Sequence, residues 1–232
     1  KVIFKLIDWN NKYVDLNAGT IDCVWNGFTA NTSDDDGVAR SEKKMVAFVE
    51  ELGDYAKLFS YKLFDVSSYD NWQSFHDWLV ENNIAPDVLI NNAGVLPRFD
   101  RLMNYTKEEI DESINIDFYS AAYSSKIMLP LLMKSETPAI INVASSAALM
   151  ALGGTSMYSA SKAAVKGLTE AMREELRGEA YIGLVCPGFT KTDIFRNQGA
   201  TDGMNLINMV STPCHKAVNK ILKGILRKKS YI

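Results

Sequence analysis

Residues 88–94 read Val88-Leu89-Ile90-Asn91-Asn92-Ala93-Gly94. A short continuous apolar run closed by a polar, glycine-ended turn is the pattern of a strand buried on both faces. A sheet with one face in water would instead alternate apolar and polar residues.

Working outward, helix-like and strand-like segments alternate for most of the chain. Upstream, residues 43–52 carry Met45, Val46, Phe48, Val49 and Leu52 at helical spacing, and residues 58–66 read as a strand ended by Ser67-Ser68. Residues 71–81 are amphipathic, and their Trp72, Phe75, Trp78 and Leu79 are core residues rather than a binding stripe. Downstream, helices are expected around 107–118 and 120–134, a strand at 139–144, a helix at 158–176, a strand at 181–186 and a last helix at 216–226. This order predicts an α/β fold, a single doubly wound parallel sheet of Rossmann-like type. Ligands of such folds bind beyond the carboxyl ends of the strands. Asp65, Asn91 to Gly94, Ser145 and Pro187-Gly188 each close an expected strand.

The 232 residues suffice for one substantial core, and 47% hydrophobic with 23% charged content is that of a globular protein. A formal net charge of -3 gives no reason to expect nucleic acid or an anionic membrane as partner. The basic run Arg227-Lys228-Lys229 reads as a solvated helix end. Cys23, Cys186 and Cys214 lack metal-ligand spacing and fit reduced thiols in a cytosol. Neither Cys214-His215 nor His76 brings the partners a metal needs, and Asp34-Asp35-Asp36 reads as an acidic turn in solvent. The sequence begins at Lys1 with no charged segment leading into an apolar one, and its apolar stretches are short of a membrane span. The expected localisation is cytoplasmic.

Tyr158 and Lys162 are four apart and would project from one face of a helix. A phenol titrates near pH ~10 in isolation and is a poor base at neutrality. A lysine ammonium beside it favours the phenolate and eases proton exchange. Ser145 would hydrogen-bond and polarise a substrate oxygen. Taken alone, the tyrosine–lysine pair is better read as a surface helix contact.

Its context changes that reading. Asn91-Asn92-Ala93-Gly94, Ser145, Tyr158-Ser-Ala-Ser-Lys162-Ala-Ala and Pro187-Gly188-Phe-Thr190-Lys-Thr192 occur in order. Together they resemble the classical short-chain dehydrogenase/reductase family over about residues 40–226. The resemblance implies Tyr158 as general acid/base and Lys162 as the group that lowers its pKa and bonds the nicotinamide ribose. It implies Ser145 to orient the carbonyl or alcohol, and Asn115 to maintain a water-linked proton path behind Lys162. It places Asp65 and Val66 at the adenine, Asn92, Ala93 and Gly94 under its ribose, and Pro187, Gly188, Thr190 and Thr192 against the nicotinamide. The implied activity is NAD(P)-dependent interconversion of an alcohol and a ketone or aldehyde. Homo-oligomers through the Tyr158-bearing helix are the implied assembly.

One family feature is absent. No Thr-Gly-x-x-x-Gly-x-Gly follows the first strand-like run at 2–7; residues 1–39 hold only Gly19, Gly27 and Gly37. Such glycines let the backbone approach a pyrophosphate at a helix N-terminus. Residues 1–39 instead resemble a strand–helix–strand piece of an amino-acid-binding protein of ABC importers, through Lys5-Leu-Ile-Asp-Trp9, Leu16-Asn-Ala-Gly19-Thr-Ile-Asp22 and Trp25-Asn-Gly-Phe-Thr29. The expected organisation is thus an atypical segment 1–39 and a core 40–232 forming one structural domain. Two alternatives to an active enzyme follow: an impaired domain with a lost phosphate loop, and an amino-acid-binding module. On the dehydrogenase resemblance Arg40 lies just past the second strand, where an arginine accepts the extra phosphate of NADP. On the binding-protein resemblance it clamps an amino acid's carboxylate, and by itself it reads as a solvated arginine. The longer match favours NADP, with NAD the alternative. Residues 193–210 are expected to cover the substrate, and Ile194, Phe195, Met204, Leu206, Ile207 and Met209 point to an apolar or bulky ligand or to core packing.

Overall fold

The computed structural model of the chain describes residues 23–26, 50, 62–192, 194 and 209–232. Within them lies a four-stranded parallel sheet in the order β1-β2-β3-β4. β1 is Cys23–Asn26, β2 is Val88–Asn91, β3 is Ala139–Val143 and β4 is Tyr181–Val185. The helices are α1 (Tyr69–Glu81), α2 (Lys107–Ile114), α3 (Ser120–Leu132), α4 (Ser156–Glu175) and α5 (Cys214–Leu226).

The side-chain alternation of β2, β3 and β4 assigns the layers. Leu89, Ile140 and Ile182 face one way and pack with Trp72 and Leu79 of α1, Met128, Leu131 and Leu132 of α3 and Met172 of α4. Val88, Ile90, Ile141 and Val185 face the other way and meet Ile221 and Ile225 of α5. Because helices cover both faces, every residue of β2 is buried, as its unbroken apolar run predicts. The doubly wound α/β arrangement is therefore present.

Local sequence explains where the helices start. Ser68 caps α1 by accepting from Asn71 N, and Thr106 and Glu109 form a reciprocal capping box at α2. Residues 107–132 are one continuous helical run rather than two helices. A π turn, Asn115–Tyr119, joins α2 to α3; such single wide turns recur at functional sites.

One expectation changes at the sheet's edges, and one lies outside the described residues. The strand paired with β2 is Cys23–Asn26, in register Cys23 to Val88 and Asn26 to Asn91. In sequence Gly27 follows it, whereas the expected first strand at 2–7 lies outside the described residues. Of the expected strand 58–66, the described part 62–66 is irregular chain and turn without sheet pairing. Phe64 and Val66 nevertheless pack on the core. At the other edge, Ile232 N donates to Leu184 O and Cys186 N to Ile232 O, so Tyr231 forms an isolated parallel bridge to Leu184 of β4. Gly224 lets this happen, since a Cβ there would stand 2.6 Å from Ile232 Cγ2.

Candidate active site

Three strand ends and one helix converge at the carboxyl edge of the sheet. Ser145 follows β3 and is buried; its backbone is extended and its hydroxyl accepts from Ala147 N at 3.2 Å. The next residue ties β3 to β4, because Ser146 N donates to Pro187 O at 2.8 Å. Tyr158 and Lys162 lie in the first two turns of α4. The Ser145 hydroxyl lies near enough to the Tyr158 phenol to lower its pKa. Lys162 Nζ stands 5.8 Å from the centre of the Tyr158 ring and donates to Val143 O, at the end of β3, at 3.4 Å. From the third strand end, Gly94 meets the same lysine: a Cβ there would stand 2.7 Å from Lys162 Nζ. Only a glycine leaves the ammonium this room.

Burial raises the Tyr158 pKa above the ordinary phenol value, and the Asp117 charge raises it further. Lys162 and the Ser145 hydroxyl act in the opposite direction. The arrangement can hold a carbonyl oxygen between two hydroxyls and pass it a proton from Tyr158.

Asp117 went unnoticed in the sequence. Its Oδ1 lies 3.7 Å from Lys162 Nζ and accepts from Val95 N at 2.8 Å, and its Oδ2 accepts from the Ser161 hydroxyl at 2.5 Å. The sequence signal was an acid in a helical stretch that is otherwise apolar or small, Ile116-Asp117-Phe118-Tyr119-Ser120-Ala121; ionised residues are rarely buried unless paired.

Asn115 has no direct hydrogen bond with Lys162 among the described residues. It opens the π turn half-buried, and its carbonyl accepts from Ser120 N.

The remaining expected site residues divide. Asn92 is half-buried, Ala93 buried and Gly94 half-buried, directly after β2. After β4, Pro187 is half-buried, Gly188 is exposed with open space around a Cβ position, the Thr190 hydroxyl donates to Gly188 O at 3.0 Å, and Thr192 is exposed. Asp65 is exposed and Val66 half-buried in the turn before α1. The Asp65 carboxylate accepts from Ser67 N and Oγ, and the Val66 carbonyl accepts from the Trp72 indole. No hydrogen bond or ion pair among the described residues ties these two to the Ser145–Lys162 cluster. Arg40, the segment 1–22 and most of the expected lid, residues 193 and 195–208, lie outside the described residues.

The donor set fits one end of a nicotinamide dinucleotide. Lys162, Tyr158, Thr190 and the open backbone at Gly188 suit hydroxyls of a ribose and a carboxamide; the residues that would meet a diphosphate, after β1, are not described. No helix of the described residues is long and apolar enough to cross a membrane.

The profile of the short chain dehydrogenase family matches residues 36–203. A 3-oxoacyl-[acyl-carrier-protein] reductase of Vibrio harveyi is 33% identical over 160 residues, covering 68% of this chain and 64% of its own length. A ketoacyl reductase of Nostoc sp. is 33% identical over 147 residues, 63% of this chain and 50% of its own. An 11-beta-hydroxysteroid dehydrogenase-like protein of Arabidopsis thaliana is 32% identical over 173 residues, 72% of this chain and 54% of its own. The chain thus spans between half and two thirds of the length of these relatives. Among solved structures, a short-chain dehydrogenase of Sphingobium yanoikuyae in complex with NADPH superposes with a TM-score of 0.70 at 22% identity, over 90% of this chain and 75% of that one. A short-chain dehydrogenase/reductase of Burkholderia phymatum in complex with NAD gives 0.68 at 22% identity, over 86% and 76%. At that identity the structural likeness speaks to the fold.

Proposed function

This chain belongs to the short chain dehydrogenase family, and on that premise we propose that it is an NAD(P)-dependent oxidoreductase interconverting an alcohol and a ketone or aldehyde. The observation that carries the reading is the convergence of Ser145, Tyr158 and Lys162 at the ends of β2, β3 and β4. A bound nicotinamide would supply or accept the hydride. The chain's own residues do the rest. Ser145 fixes the substrate oxygen, Tyr158 gives or takes its proton, and Lys162 stabilises the phenolate and offers its ammonium to a ribose hydroxyl. Asn92, Ala93, Gly94, Pro187, Gly188, Thr190 and Thr192 would line the cofactor, with Asp65 and Val66 at its adenine. The substrate is a small-molecule carbonyl or alcohol.

Arg40 supports NADP over NAD, as its planar fork suits an extra phosphate. One observation favours a second reading, a domain that holds cofactor too weakly to turn over: no Thr-Gly-x-x-x-Gly-x-Gly occurs in the chain. Calorimetry with NADPH and NADH on wild type and Arg40→Ala, beside turnover of an aldehyde and ketone panel, separates the two. Tight NADPH binding with turnover supports the enzyme. Binding of neither nucleotide sinks it.

A further inference from the structure

Behind the tyrosine–lysine pair stands a third charged group. The Asp117 side chain is 0% exposed and that of Lys162 is 4% exposed, with Oδ1 and Nζ 3.7 Å apart. Asp117 lies in the π turn and Lys162 on α4, so the pair joins two separate helical elements. Three donors converge on the carboxyl group: the Val95 amide, the Ser161 hydroxyl and the Lys162 ammonium. Such a donor set suits a carboxylate, which only accepts. A protonated carboxyl could place its own hydrogen only on the Ser161 oxygen.

Charges this close and this dry are weakly screened. The field that reaches Tyr158 is therefore that of an ammonium largely cancelled by its neighbour. The groups that face Tyr158 are Lys162 from its own helix, Asp117 from the π turn and the Ser145 hydroxyl from the end of β3. Those that face Asp117 are Lys162, Ser161 and the Val95 amide, with Glu112 of α2 also within its field.

We propose that Asp117 is a positioning residue of the proton-transfer site: as a buried counter-ion it fixes the Lys162 ammonium and offsets its charge, so that Tyr158 works at a higher pH than a tyrosine–lysine pair alone. This rests on the reading of Tyr158 as acid/base. Burial raises the Asp117 carboxyl above the usual carboxylate range against the opposing pull of Lys162, Ser161 and the Val95 amide, and the Asp117 charge pushes the Tyr158 phenol upward.

The test is Asp117→Asn in the full chain, which keeps an acceptor for the Val95 amide and removes the charge. The Tyr158 phenol is read by ultraviolet difference titration of each protein against its Tyr158→Phe partner. It should titrate about one pH unit lower in Asp117→Asn, a tenfold change in proton affinity. The limb of the pH–rate profile for alcohol oxidation should move down by the same amount. A merely structural role would lower the melting temperature and leave the titration in place. An unmoved or upward-moving phenol overturns the proposal. If Asp117→Asn does not fold, the carbon-13 shift of the Asp117 carboxyl in the unmodified protein decides: an ionised group at pH 7 supports the proposal, a protonated one overturns it. Wild type without turnover, but with a shifted phenol, would overturn the enzyme reading while supporting the charge coupling. Normal turnover with an unmoved phenol would do the reverse.

Discussion

A Cβ on Gly94 would stand 2.7 Å from the Lys162 ammonium nitrogen and 3.1 Å from Asp117 Oδ1. The glycine after β2 thus leaves room for the lysine tip that α4 sends across the sheet edge. Gly94→Ala should push that flexible tip aside rather than disturb the backbone. Expected are a modest stability loss, about 1 kcal/mol at the low end of overpacking costs, and a drop in turnover of roughly tenfold or more. Steady-state kinetics beside thermal melts separate the two. Unchanged turnover would mean that the position of Lys162 does not matter.

Tyr158→Phe should lower kcat by roughly a hundred- to ten-thousandfold, the range of a lost general acid. Only the hydroxyl facing Ser145 is removed. Circular dichroism and nucleotide affinity should therefore stay near wild type. Full activity in this variant would remove the assigned proton donor.

Lys162→Met should do more than slow the reaction. It leaves the Asp117 carboxylate buried without its counter-ion, and breaking a buried pair from one side costs about 3–5 kcal/mol. Asp117→Asn added to Lys162→Met should recover most of that stability without restoring activity. Denaturant unfolding of the two single variants and the double variant gives the coupling. Additive losses would mean the two charges do not sense each other.

These contacts also mark what could be read from the residues in order. β2, β3 and β4 were legible because strands covered on both faces leave unbroken apolar runs such as Val88-Leu89-Ile90. The strand-end place of Ser145 and the shared helix face of Tyr158 and Lys162 were legible because both are local features. The spacing alone read as a surface contact, and only the resemblance joined the three. Asp117 was not, since its partner lies 45 residues away and a π turn decides which residue of the run faces α4. β1 was not singled out, for a related reason: Cys23-Val24-Trp25-Asn26 is a short run, and only pairing with β2 distinguishes it. Asn91 was grouped with the turn, yet it ends the strand inside the core. There its Nδ2 donates to Asn142 Oδ1 at 2.8 Å, and its Oδ1 accepts from Ser124 Oγ at 2.6 Å.

That polar ladder carries its own expectation. Asn142 is fully buried, accepts from Asn91 and donates to Thr169 Oγ1 at 2.9 Å, linking β2, β3 and α4 below Ser145. Asn142→Ala takes one acceptor from the Asn91 amide, which keeps Ser125 Oγ at 3.1 Å and a long contact to Ala121 O at 3.5 Å. A buried donor left short of a partner costs about 1–3 kcal/mol. Urea unfolding should show a loss of at least this size. A change under half a kcal/mol would mean that water enters and completes the ladder.

The alkaline limb of stability should depend on Tyr181, at the first position of β4. Its hydroxyl donates to Lys229 O at 2.8 Å, and burial pushes its pKa from 10.0 up to about 12, with Arg173 pulling weakly the other way. Below about pH 10 the phenol is protonated in both the folded and unfolded chains, so its contribution is constant. Between about pH 10 and 12 the unfolded chain gives up the proton while the folded chain keeps it. The unfolded state then binds fewer protons, and stability falls as pH rises through that window. Tyr158 and Tyr105 are also raised by burial and add to the same slope, so the informative quantity is a difference. Tyr181→Phe should be less stable than wild type at pH 8, having lost the bond to Lys229, and should lose less on moving to pH 11. Melting temperatures of both proteins across pH 8–11.5 would measure it. Parallel curves would mean that the Tyr181 phenol ionises as readily in the folded chain as in the unfolded one.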